Sequence, residues 1–178
     1  MKRKETKRLA VASLLCALTT VISLVGCVLD VADLTAVTAA SAVVALSGTE
    51  LGKKYQILIY AVCSALLLLL FPSATVSLYF VLYFGYYPII REYFARLPRL
   101  FSWILKYMLF NTAIISVYFL MTKILLSAEA EESMAMLLTL WLMANAFFAV
   151  YDIAIGVFTL AYTRVYRKKW GIDKFMLG

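Results

Sequence analysis

The sequence predicts an all-α membrane protein, a compact bundle of six transmembrane helices with the N- and C-termini both cytoplasmic. Three observations carry that reading. The chain is 65% hydrophobic and only 15% charged, with a mean hydropathy of +0.92, whereas a soluble domain is about 45–50% apolar and about 25% charged. Punctuation divides its 178 residues into six apolar stretches of the length that crosses a bilayer, about 20 residues each. The charges then segregate by sign between alternate loops. One domain, residues 1–178, is expected at this length.

The first span, about 9–28, follows Lys2, Arg3, Lys4, Lys7 and Arg8. Its end, Cys27-Val28-Leu29, is not a small-x-small cleavage site, so the segment reads as a retained helix rather than a signal peptide. Asp30 and Asp33 follow in an acidic outer loop. The second span, about 34–49, is "LTAVTAASAVVAL", small on almost every side and therefore expected to be central and tightly packed. "GTELGKKY" returns the chain through Lys53 and Lys54 to the third span, about 55–71. Pro72-Ser73 makes a tight outer turn into the fourth, about 74–90, where Gly85 and Pro88 mark a bend. A basic segment from Arg91 to Lys106, broken at Pro98, leads to the fifth span, about 101–126. The acidic loop "SAEAEES" precedes the sixth, about 135–163, and the tail is again basic.

Counted this way, sixteen of the seventeen Lys and Arg lie on one side, with Lys123 the exception. Cytoplasmic loops carry such an excess, which places both ends in the cytoplasm of a multi-pass plasma-membrane protein. The net charge of +7 is thus accounted for by topology and anionic-lipid contact, not by nucleic acid.

The chemistry available is narrow. There is no histidine, which removes the commonest general base and metal ligand. Cys16, Cys27 and Cys63 are scattered through apolar segments without metal-type spacing and read as small buried residues. No nucleophile elbow, P-loop, metal cluster or paired carboxylate site is present. Neither an enzyme nor a cofactor protein is expected. A two-fold repeat of the kind that builds many secondary carriers is also missing.

Candidate residues are those whose chemistry contrasts with the apolar spans. In the fourth, "SLYFVLYFGYYPII" sets Tyr79, Tyr83 and Tyr86 on one helical face, either interface anchors or a stacking surface for an organic ligand. In the sixth, Trp141, Asn145, Phe148 and Asp152 share a face at spacings of four, three and four. Asp152 stands twelve residues from Arg164, about 18 Å along a helix axis, at a depth similar to Asn111 in the fifth span. An acid at that depth is paired or functional, so a contact between Asn111 and Asp152 is expected, either a tie between helices or the polar floor of a ligand pocket. Small residues at spacing four in the first span, Ala12, Cys16 and Thr20, form a face for close helix approach. The Arg91–Lys106 segment, with Arg91 and Arg96, reads as an amphipathic element on lipid or on a cytoplasmic partner.

The small-residue first helix "KRLAVASLLCALTTVISLVG" and the acidic outer loop "DVADL", in a six-span chain of 20.0 kDa, resemble the substrate-binding S component of energy-coupling factor (ECF) transporters. The resemblance implies capture of a small micronutrient from the outer side, and uptake driven by a membrane coupling subunit with cytoplasmic ATPases. It places ligand contacts at Asp30, Asp33, Tyr79, Tyr83, Tyr118, Trp141 and Asn145, and the polar residues Asn111 and Asp152, picked by their depth, complete the candidate ligand-binding set. It places docking at Ala12, Cys16 and Thr20, the nearest equivalent here of the family's Ala-x-x-x-Ala face. The competing expectation is a non-transporting scaffold, resembling the small rod-shape-determining membrane proteins of cell-envelope assembly. A pocket lined by Tyr79, Tyr83, Trp141 and Asn145 separates the first reading from the second, for which that region is solid.

Overall fold

The computed structural model describes residues 2–29, 33–124 and 134–166, and every element among them is helical. Helix α1 spans Lys2–Leu29, α2 Asp33–Leu51 and α3 Lys53–Leu70. The fourth segment is α4, Thr75–Tyr79, running on as a π-helical turn over Phe80–Phe84, and then α5, Tyr87–Phe94. Helix α6, Arg99–Phe119, and helix α7, Met134–Ala161, each end in a π-helical turn, Leu120–Ile124 and Tyr162–Tyr166. Helices dominate because backbone donors and acceptors have no water to bond in hydrocarbon, so each segment satisfies its own.

Five of these helices are long and apolar enough to cross a membrane: Glu5–Leu29, Asp33–Leu51, Lys53–Leu70, Arg99–Thr122 and Met134–Val165. The segment expected as the fourth span is helical but is not one continuous helix, and it is not among these five. A π turn takes an extra residue per turn, and here Gly85 N–H closes it on the Phe80 carbonyl at 2.8 Å. The chain breaks at Gly85-Tyr86 and restarts with Pro88 in the first turn of α5, where its missing N–H leaves no helical bond unmade. Gly85 is also needed sterically, because the Tyr60 ring and the Phe80 carbonyl occupy the place of a Cβ.

Helix α2 runs through the middle, touching α1, α3, α4, α5 and α7. Its small residues permit this: Val37, Ala40, Ser41 and Val44 are fully buried. At the α1–α2 crossing a Cβ on Gly26 would overlap that of Ala36, so glycine lets the two backbones approach. Between α2 and α3 the connection is Gly52 alone, at φ 88°, a left-handed conformation that glycine adopts without penalty. The hydroxyls of α1 are absorbed locally. Thr19, Thr20 and Ser23 donate to the carbonyls of Leu15, Cys16 and Thr19 at 2.8, 2.9 and 3.0 Å.

Two apolar cores result. One joins α1, α2 and α3 through Ala12, Ala40, Val44, Ile59, Cys63 and Leu67, with Phe80 inserted from the π turn. The other is aromatic and lies between α2, the fourth segment, α6 and α7 around Tyr83, Phe84, Tyr87, Phe110, Phe148 and Tyr151. The first turns of α7 stand outside both; from Met134 to Met143 nearly every side chain is exposed, a surface for lipid tails.

Candidate functional site

The polar groups of the bundle collect along the line where α6 and α7 face each other. The helices run antiparallel, and three pairs meet like rungs. Lys106 Nζ donates to Asp152 Oδ2 at 2.7 Å. Phe110 stacks on Phe148, centroids 4.6 Å apart and planes 17° from parallel. Asn111 Nδ2 donates to Asn145 Oδ1 at 2.9 Å. The face of α7 that carries Trp141, Asn145, Phe148 and Asp152 is thus the one turned to α6.

The expected contact between Asn111 and Asp152 does not form. Asn111 pairs two rungs away, with Asn145, and its Oδ1 accepts the Trp141 indole N–H at 2.6 Å. Asp152 instead takes three donors. Besides Lys106 these are Tyr87 Oη at 2.5 Å and Arg91 Nε at 2.8 Å, the latter on the same oxygen as the tyrosine. A carboxylate left in hydrocarbon without partners is costly; this one faces two cations and a phenol. Asp152 and Lys106 have only 5% and 10% of their side chains exposed, Arg91 28%.

Arg91 reaches the site because of the broken fourth segment. From within the π turn onward the residues facing α6 and α7 are Tyr83, Tyr87 and Arg91, four apart. Tyr83 stacks on Tyr87 at 4.9 Å, and Tyr86 turns to Tyr60 on α3, edge-on at 6.0 Å. The tyrosine face expected at 79, 83 and 86 is split accordingly. Gly156 of α7 makes room for the arginine, since a Cβ there would overlap Arg91 Nη2. Behind the ion pair, Tyr151 Oη and Ser41 Oγ are hydrogen-bonded at 2.5 Å, tying α7 to α2.

The other expected residues scatter. Tyr83 is 1% exposed, packed edge-on against Phe84, Phe110 and Phe148, and its hydroxyl has no hydrogen-bond partner among the described residues. Tyr79 is half-buried beside the aromatic core. Tyr118 is 53% exposed and not in the rungs. Asp33 opens α2, and Asp30 lies outside the described residues. Arg96 stays on the surface, 5.8 Å over the Tyr93 ring. Arg91, expected as a docking residue of the basic loop, turns inward instead. Lys106, counted with the same loop, is buried in α6. Tyr87 and Lys106 were not singled out by sequence reasoning; the spacing of Tyr83, Tyr87 and Arg91 was the available signal.

A separate feature lies on α1. Ala12, Cys16 and Thr20 line a groove of about 500 Å³ against Leu58, Val62 and Leu66 of α3. Cys16 Sγ lies 3.4 Å from Cys63 Sγ of α3. No protein-family model, curated protein or solved structure matches this chain.

Proposed function

We propose that the chain is a solute-binding membrane subunit, resembling the S component of ECF transporters, that captures a small micronutrient for uptake powered by partner subunits. The observation that carries this reading is the group formed by Asn111, Asn145 and Trp141. Two amides and an indole converge within hydrogen-bond distance of one another, partly exposed, immediately beside the Phe110–Phe148 stack. A few convergent polar groups on an aromatic floor are what orient an organic ligand. The segregation of sixteen basic residues supports placing both termini in the cytoplasm and this group toward the outer side. The α1–α3 groove, with Ala12, Cys16 and Thr20, is the surface offered to a membrane coupling subunit, and cytoplasmic ATPases would supply the energy.

A second reading, a membrane scaffold, is favoured by one specific observation. Tyr83, expected to line the pocket, is sealed in the aromatic core, and the space next to Phe110 and Phe148 is filled by side chains.

Native mass spectrometry of the protein purified in mild detergent separates the two. The solute-binding reading expects a stoichiometric small molecule that disappears in Trp141→Ala and in Asn145→Ala, while the folded bundle persists. Ligand-free protein in repeated preparations, with no ATPase subunits co-purifying, leaves only the scaffold.

A further inference from the structure

The ion-pair cluster at Asp152 has unequal numbers of charges. Arg91 and Lys106 both end on one carboxylate, so the group carries one surplus positive charge. Glu92, the nearest acid in sequence, is engaged elsewhere, with Lys53 at 3.1 Å. The surplus is localised. Lys106 is buried and lies 5.4 Å from the Trp103 ring, and Asp152 uses both its oxygens on protein donors. Among the described residues Arg91 bonds through Nε alone; its Nη edge lies over Gly156 and the side chain keeps 28% of its surface exposed. A guanidinium presents its two outer nitrogens as a fork that matches the oxygens of a phosphate.

The surroundings suit such a ligand. Arg96 and Arg99 follow at the junction of α5 and α6, both exposed. Trp103 stacks on Tyr107 at 5.8 Å near the start of α6, the aromatic pairing typical of headgroup depth. A surplus cation at that depth, beside lipid, is neutralised most cheaply by an anion from the lipid itself.

We infer that the Arg91–Lys106–Asp152 cluster is a phosphate-binding site, occupied by the headgroup phosphate of an anionic phospholipid that the outer edge of Arg91 engages. The site is independent of the solute-binding reading and would serve a scaffold equally. Asp152 holds the arginine in place and sets the net charge at plus one; the phosphate brings it to neutrality.

The test is lipid retention by native mass spectrometry, with phosphatidylglycerol and phosphatidylcholine offered in equal amounts to the purified protein. Wild type should retain phosphatidylglycerol in preference. Arg91→Gln, which leaves a neutral Lys106–Asp152 pair, should weaken that preference about fivefold, the worth of one cation near a membrane surface. Lys106→Met leaves Arg91–Asp152 neutral and should weaken it in the same direction, so the test survives if one variant does not fold. Asp152→Asn adds net positive charge and should strengthen it. Equal retention of both lipids by wild type, or a preference unmoved by all three substitutions, overturns the proposal. The source of the phosphate is settled in nanodiscs of phosphatidylcholine alone. If inorganic phosphate raises the thermal midpoint of wild type but not of Arg91→Gln, and phosphatidylglycerol adds nothing, the site takes soluble phosphate and the lipid assignment falls.

Discussion

Replacing Asp152 with leucine isolates what the buried charges do. Asp152 is 5% exposed and Lys106 10% exposed, so the substitution strands a buried lysine without its ion-pair partner among the described residues, in a region of low dielectric. Breaking a buried pair by removing one partner costs about 3–5 kcal/mol. Arg91 adds little to that figure, because it is partly exposed and its long stem lets it swing toward the headgroups. The expected loss is therefore at the lower end, about 3 kcal/mol. Lys106→Leu leaves Asp152 with Arg91 and Tyr87 and should cost about 1 kcal/mol, a lost charge-assisted bond offset by apolar packing. The double variant removes the stranded lysine and should cost no more than about 2 kcal/mol, a coupling of about 2 kcal/mol relative to the sum of the singles. Unfolding by titration with sodium dodecyl sulfate in mixed micelles, followed by tryptophan fluorescence, measures all three. If the double variant loses the sum of the two single losses, the charges are not coupled and the account of this site is wrong.

Three other outcomes follow from the same packing. Gly156→Ala should lower the unfolding midpoint in wild type, because a Cβ meets Arg91 Nη2, but do little in an Arg91→Met background; equal effects in both would show that the guanidinium does not lie there. Phe148→Ala empties the centre of the aromatic core, where Phe148 is fully buried, and should cost about 3–5 kcal/mol in the same titration, against near-neutrality for an equally large truncation at exposed Met143. Tyr151→Phe removes the hydroxyl bonded to Ser41 and leaves a buried serine unpaired, for an expected loss of about 1–2 kcal/mol; restoration by Ser41→Ala in the same chain would be the sign that the pair, not the tyrosine ring, was responsible.

The helical content and most of the spans were readable because they depend on composition and length alone. Pro72 and Pro98 marked real breaks, and the run of small residues in 34–49 pointed to the helix that runs through the middle. The partners of Asp152 were not readable, and for a physical reason. Topology counting treats each Lys and Arg at a span end as facing water, and Arg91 and Lys106 had been assigned to that side. A cation one or two turns into a helix satisfies the same count while pointing inward. The pairing of Asn111 was missed for a related reason. Depth counted back from Arg164 assumes that the membrane begins there, and the pairing with Lys106 sets Asp152 two rungs nearer that end than Asn111. The tyrosine face failed because helical spacing assumes 3.6 residues per turn, and the π turn at Phe80–Phe84 rotates everything after it. Gly85 and Pro88 announced the break but not its rotation.

The position of Asp152 in the chain also bears on how the protein is made. Its carboxylate enters the bilayer on α7, where an acid inside an apolar segment is costly to insert without a partner. Every donor that receives it lies earlier: Tyr87 and Arg91 on the fourth segment, Lys106 on α6. When α7 leaves the ribosome, its counter-charges are already in the membrane, so the acid can be handed to waiting cations rather than dragged alone through lipid. The ion pair then acts as a latch in biogenesis, set when α7 joins the segments made before it.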